Sequence, residues 1–251
     1  MRRMERNTTA ELAADAALRL DGSDARIGCA RGPHMLTRDL LASGGFRRLL
    51  EQAGSSLRLV TDEERERSLD RMLAAQPEPG APVWVFAYGS LLWNPTVHVA
   101  ERARARVTGW HRRFCLWTEL GRGSCELPGL LLGLERGGSC TGVALRVDGE
   151  LRHELDLLWR REMVGNSYVP RWLHLALDDG RRAHGIGFTI NHAGPGYARQ
   201  VDDRTAARHI AHACGPMGAC REYFDHTLAE LHRWRIRDRH MERIARLLPE
   251  A

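Results

Sequence analysis

The sequence predicts an α+β fold, and three observations carry that prediction. Apolar, β-branched and aromatic runs dominate from Val83 to Ile190, one helical period interrupts them at about Glu150 to Met163, and the pattern after Asp202 is helical to the end. Residues 1–80 read as a partly helical N-terminal extension and residues 81–251 as the functional domain.

The extension begins with a polar lead through residue 35, with one short helix expected near Ala10 to Leu20. Leu40, Leu41, Phe46, Leu49 and Leu50 place apolar side chains at helical spacing between Thr37 and Gln52, and Gly44-Gly45 splits them into two short helices. Thr61-Asp62-Glu63-Glu64 is a capping-box pattern opening a helix that runs to about Ala75. Gln76 to Pro82 holds three prolines and one glycine and reads as a linker. Strands are then expected at Val83–Tyr88, Val107–Trp117, Leu130–Leu134, Gly142–Val147, Val169–Leu177 and His184–Ile190.

The first of these strands breaks abruptly into Tyr88-Gly89-Ser90-Leu91. Gly89 permits a positive φ or a close approach to a ligand, and Ser90 adds a hydroxyl and an N–H at the same corner. Such a corner can hold a small anion or a carbonyl oxygen with main-chain donors; an ordinary strand end with a glycine turn has the same residues. Ser90 lacks the second glycine of a G-x-S-x-G elbow, so it reads as a ligand-cradling serine and not a nucleophile.

The helix from Leu151 to Met163 has one conspicuous carboxylate. Leu151, Leu155, Leu158 and Trp159 share a face at about 100° per residue, and Glu162 falls near the middle of that apolar stripe. Glu154, Arg160 and Arg161 are expected on other faces. A carboxylate aimed at the interior is costly unless paired or functional, and desolvation raises its pKa toward the range of a general base. A buried Glu–Arg ion pair, or a helix end that bends Glu162 back to water, fits the same pattern.

Composition narrows the alternatives. The formal net charge is +5, with 43% hydrophobic and 27% charged residues, ordinary for a globular protein. Apolar runs fall short of the roughly 20 residues that span a bilayer, and Met1-Arg2-Arg3 leads into no apolar stretch, so neither a membrane role nor classical secretion is expected. The basic balance suits an anionic substrate, but no interleaved basic–aromatic tract suggests nucleic acid. The six cysteines, at 29, 115, 125, 140, 214 and 220, form no CxxC pair and are expected as buried or free thiols. His209, His212, Cys214 and Cys220 are the one cluster near metal-like spacing, and they match no common zinc pattern, so no metal is expected.

Taken in order, several segments are similar to one family. Tyr88-Gly89-Ser90-Leu91 with Trp93-Asn94-Pro95 resembles the signature loop of the ChaC-type γ-glutamylcyclotransferases. Gly109 to Phe114, Arg122-Gly123-Ser124 with Pro128-Gly129-Leu130, Trp159 to Met163 followed by Tyr168, and Glu222-Tyr223-Phe224 resemble its later segments. Two departures stand out: Ala87 where the family usually has glycine, and Val164-Gly165-Asn166-Ser167 where it favours a glycine-rich turn.

The resemblance implies a small, mixed, partly closed β-barrel whose loops and inserted helix frame a pocket. It implies a cytoplasmic enzyme that cleaves glutathione to 5-oxoproline and cysteinylglycine without a cofactor. Glu162 stands where the family places its acid/base residue. Val85, Phe86, Ala87, Tyr88, Gly89, Ser90, Leu91, Arg122, Tyr168 and Tyr223 are the implied substrate-binding residues. Arg113 and Arg122 are candidates for a glycine carboxylate, with surface arginine the commoner explanation in an Arg-rich chain. The expected partner is a small γ-glutamyl molecule. A cyclotransferase for other γ-glutamyl amides or amines, and a non-catalytic γ-glutamyl-binding regulatory module, are the other two readings.

Overall fold

The computed structural model describes residues 36–52 and 58–250; the helix expected at 10–20 lies outside them. Two short helices come first, α1 (Arg38–Ala42) and α2 (Gly45–Gln52), split at Gly44, whose φ of +68° suits glycine. Helix α3 (Asp62–Ala74) opens with Thr61 and Glu64 capping one another's backbone N–H groups, the capping box read from the sequence.

Five strands form a closed barrel: β1 (Trp84–Ala87), β2 (Val99–Thr118), β3 (Gly129–Val147), β4 (Tyr168–Leu177) and β5 (Arg182–Ile190). The order β1-β3-β2-β4-β5 closes where β1 runs parallel to β5, with Trp84 opposite Gly185. The barrel is therefore mixed, and closed where the sequence suggested partial closure. The two strands expected at Leu130–Leu134 and Gly142–Val147 are one continuous β3, paired with β2 along its length and bent at three register shifts. Bending lets one long ribbon wrap the barrel, so the charged, exposed middle of β3 (Arg136 to Gly138) does not interrupt it.

Helix α4 (Leu151–Glu162) lies between β3 and β4. Its N-terminus is capped by Glu150, which accepts from the Arg152 and His153 amides. Leu155, Leu158 and Trp159 are fully buried. The helical tail comprises α5 (Asp203–His212), a hairpin of β6 (Cys214–Gly215) and β7 (Gly218–Ala219), α6 (Cys220–Arg233) and α7 (Arg239–Ala245).

The N-terminal helices pack on the outer side of α4. Leu41, Phe46 and Leu50 join Leu157, Leu120 and Met217 in a small core of their own, and the Trp159 indole donates to Ser68 of α3 at 3.2 Å. Helix α4 is thus covered on two sides, and Glu154 and Arg161, expected on faces other than the apolar stripe, are buried as well. Among the described residues no helix is long and apolar enough to cross a membrane. Cys115, Cys140 and Cys220 are buried free thiols and Cys125 an exposed one; Cys214 departs from that expectation, being disulfide-bonded.

Candidate active site

The end of β1 and the end of α4 meet. Val85, Phe86 and Ala87 are wholly buried, so the Ala87 methyl packs in the core. After Tyr88 the chain turns through Gly89 into a 3₁₀ turn over Ser90–Leu92, with Leu91 buried beneath it. Glycine suits position 89 for a local reason. A Cβ there would lie 3.0 Å from the Tyr223 hydroxyl, so the tyrosine would have to give way slightly.

The loop is held from below by Arg112 of β2. This buried guanidinium donates from Nε to the Tyr88 carbonyl at 2.6 Å, from Nη2 to the Thr141 carbonyl at 2.8 Å, and from Nη1 to Asp238. Sequence reasoning missed this role. The available signal was a charged residue two positions before the inward-facing Phe114 on an otherwise alternating strand.

Glu162 closes the site from α4. Its side chain is 13% exposed, enough to meet a solute without being solvated, and Oε1 accepts from Arg161 Nε at 2.8 Å. Arg161 spans the site: Nη2 donates to Ser90 Oγ at 2.8 Å, and Nη1 donates to the Asn94 carbonyl and, at 3.5 Å, to Thr96 Oγ1. Burial raises the Glu162 pKa above the ordinary glutamate value, with Arg161 opposing the rise. Burial lowers that of Arg161, with Glu162 opposing. Desolvation thus dominates both partners.

Three buried tyrosines, Tyr88, Tyr168 and Tyr223, feel the charge of the carboxylate, and burial together with that charge holds each one neutral. Tyr88 donates to the Phe188 carbonyl at 2.6 Å and Tyr168 to the Leu132 carbonyl at 2.8 Å. Tyr223 instead accepts from the Leu132 amide at 3.3 Å, which leaves its own proton free to donate. Trp93 packs edge-on against Tyr223 with ring centroids 6.3 Å apart.

Arg122, in the connection between β2 and β3, reaches the start of α6, donating to Glu222 at 2.9 Å and to the Ala219 carbonyl at 3.2 Å. Arg113 is on the barrel exterior, bonded to the Arg199 carbonyl at 2.6 Å and paired with Glu135 at 3.4 Å. His209 Nδ1 donates to the Pro128 carbonyl, and Cys220 Sγ contacts the backbone of Leu130; no group of three His, Cys, Asp or Glu among the described residues is placed to hold a metal. A cavity of about 360 Å³ opens at the other end of β1, between Trp84, Trp172, Arg146 and Arg181. Glu162 is not in its wall. Among the described residues, the Glu162 end of β1 brings a desolvated acid against a glycine loop and an uncommitted hydroxyl proton, which makes it the candidate site.

A five-stranded mixed barrel with an inserted helix delivering a buried glutamate to a Tyr-Gly-Ser loop defines the class of protein. The family model described as ChaC-like protein matches residues 83–250, and the chain belongs to that family. It is 42% identical over 190 residues to the glutathione-specific γ-glutamylcyclotransferase of Escherichia coli K12, covering 75% of this chain and 81% of that one. It is 30% identical over 167 residues to the mouse glutathione-specific γ-glutamylcyclotransferase 1, covering 63% and 72%. Among solved structures, the yeast γ-glutamylcyclotransferase specific to glutathione superposes with a TM-score of 0.59 at 18% identity, over 67% of this chain and 98% of that one. At that identity the likeness is one of fold.

Proposed function

We propose that the protein is a glutathione-specific γ-glutamylcyclotransferase in which Glu162 serves first as general base and then as general acid. The observation that carries the reading is the Glu162 carboxylate, desolvated at the end of α4 and paired with Arg161, which in turn holds Ser90 of the Tyr88–Leu91 loop. The names of the relatives supply the substrate class.

The γ-glutamyl α-amino group is protonated at neutral pH and cannot attack. Glu162 removes one proton. The amine lone pair then attacks the γ-carbonyl carbon, and a new C–N bond closes the five-membered ring. Nucleophile and electrophile belong to one molecule, so the main task is to hold the folded conformer. The N–H groups of Ser90 and Leu91 open the 3₁₀ turn and have no partner within it, which fits them to receive the tetrahedral oxyanion. Collapse breaks the bond to the cysteinyl nitrogen, and protonated Glu162 returns its proton to that leaving amine; the ring nitrogen sheds its second proton to the same carboxylate as the lactam forms, and that proton leaves on the released amine as its ammonium. The products are 5-oxoproline and cysteinylglycine; no water is consumed. A tyrosine at 223 with a free proton suits a substrate carboxylate or carbonyl.

The test is incubation of purified protein with reduced glutathione, following both products by mass spectrometry, alongside γ-glutamyl-alanine and a γ-glutamylamine in competition. Equal release of both products, with glutathione preferred, is the expected result. Absence of product from folded protein removes the assignment.

A further inference from the structure

The N-terminal helices lie outside the segment that the family model matches, yet they reach the turn on which Arg161 rests. Asn94 Nδ2 donates to the Leu36 carbonyl at 3.0 Å. Arg38 Nη1 donates to the Thr96 carbonyl at 2.9 Å. The same guanidinium binds both oxygens of Glu154 on α4, at 2.6 and 2.7 Å. Glu154 also accepts from the His98 amide at 2.8 Å. One arginine thus ties the loop after the 3₁₀ turn to the helix that carries Glu162.

The turn it holds is strained. Thr96 has φ +57°, a left-handed conformation that a β-branched residue rarely adopts. Such strain persists only where the surroundings over-determine it, and it clusters where a geometry is needed. Here the determinants are explicit. The Thr96 carbonyl is taken by Arg38, its hydroxyl donates to the Pro95 carbonyl at 2.7 Å, and Arg161 Nη1 reaches that hydroxyl and the Asn94 carbonyl. The backbone oxygen of Asn94 is therefore aimed at Arg161 by a turn that Leu36 and Arg38 clamp from outside.

Resting on the function proposed above, we infer that Arg38 is a positioning residue for Glu162, acting through the Asn94–Thr96 turn and Arg161. Arg38 touches no reacting atom. It fixes the acceptors that hold Arg161, and Arg161 fixes the carboxylate. The groups facing Glu162 are Arg161 from its own helix, Tyr88 beside the β1 loop, Tyr168 of β4 and Tyr223 of α6. The tyrosines stay neutral through the working range, so Arg161 is the counter-charge that a loosened turn releases.

The experiment compares Arg38→Ala with Arg152→Ala. Arg152 also links α4 to the N-terminal helices, through Asp70 at 2.6 Å, but does not touch the turn. Hydrogen–deuterium exchange over residues 90–98 reads the turn without any assay of activity, because the His98 and Asn94 amides are held by Glu154 and the Ser90 carbonyl. The expected result is faster exchange in Arg38→Ala alone, with kcat for glutathione lowered about tenfold or more, KM little changed, and the acid limb of the pH profile moved to higher pH. Should the lone Glu154 left behind prevent folding, Arg38→Met with Glu154→Met removes both charges and is expected to show the same loss. Wild-type exchange, kcat and pH limb in a folded Arg38 variant overturn the inference, as does an equal effect from Arg152→Ala. A wild type that exchanges as expected but turns over no glutathione defeats the proposed function and leaves the clamp standing.

Discussion

Arg161 and Glu162, neighbours in sequence, form an ion pair at 2.8 Å with both side chains almost sealed from solvent, at 4% and 13% exposure. Consecutive residues of a helix normally point about 100° apart. They converge here because Arg161 reaches back across the 3₁₀ turn, using Ser90 and Asn94 as further acceptors. The pair orients a carboxylate that burial keeps ready to accept a proton.

Replacing Glu162 by Gln preserves shape and removes the base. We expect kcat to fall by about 10²- to 10⁴-fold, with circular dichroism unchanged. Retention of more than a tenth of wild-type turnover in a folded variant would exclude Glu162 as the proton carrier.

The pH dependence has a definite sign. The proposed base catalysis needs ionised Glu162, so kcat/KM should rise as pH passes up through its raised pKa, and the acid limb should lie above the ordinary glutamate value of 4.5. Arg161→Met removes the opposing charge, and the limb should move higher still. The same raised pKa means that what Glu162 contributes to stability is fully present below its unfolded value and is lost as pH rises through the folded one. A pH–rate profile of wild type and Arg161→Met checks both; an acid limb at or below 4.5, or a downward shift in the variant, contradicts the assignment.

Gly89→Ala places a methyl against the Tyr223 hydroxyl. The expected loss is about 1–3 kcal/mol by overpacking, read by urea denaturation. Tyr223→Phe removes the obstructing oxygen, so the double variant should regain much of that stability. Activity should stay low in the double variant, because the free phenolic proton is gone. Additive losses of stability in the two single variants would refute the contact.

Asp238 stands behind the loop through Arg112, and that partner holds its carboxyl below the usual aspartate range despite burial. Asp238→Asn should cost about 3–5 kcal/mol at neutral pH, since it leaves the Arg112 charge buried and under-compensated. The depressed pKa places this stabilisation above the unfolded value of about 3.9, to be lost as pH falls through the folded one. Denaturation of both proteins should therefore converge in acid; a difference that persists there would assign the loss to packing.

Gly123→Ala tests the neck of the β2–β3 connection. A Cβ there would stand 1.9 Å from the Gly129 amide nitrogen and 2.5 Å from the Thr118 carbonyl, both backbone atoms that cannot swing aside. We expect a loss at or above about 3 kcal/mol and a disturbed Arg122, measured by thermal melting; a neutral substitution would mean that the connection is looser than described.

The parts of this architecture written in local patterns were legible in the sequence. Thr61 and Glu64 announce α3 because a capping box is a contact between residues three apart. Glu162 stood out because an acid on the stripe of Leu155, Leu158 and Trp159 contradicts its surroundings. Periodicity put Arg161 and Glu154 on other faces than that stripe but gave no sign of their burial, because a helix pattern does not show a second cover such as the one on α4. Arg38 and Glu154 lie 116 positions apart, and Arg112 and Asp238 lie 126 apart. No spacing rule reaches so far. The left-handed Thr96 has no signature either, since its conformation is imposed by partners elsewhere in the chain.

Closure of the barrel has a kinetic consequence. Tyr88 is tied to Phe188 across 100 residues, and β1, only four residues long, is gripped by strands from two later parts of the chain. Such non-local pairing costs loop entropy before it is rewarded, so closure should be a late, slow event in refolding. The glycine loop has no place to stand until that event is over. Recovery of turnover should then trail recovery of helical signal, which makes catalysis itself a sensitive clock for the last step of folding.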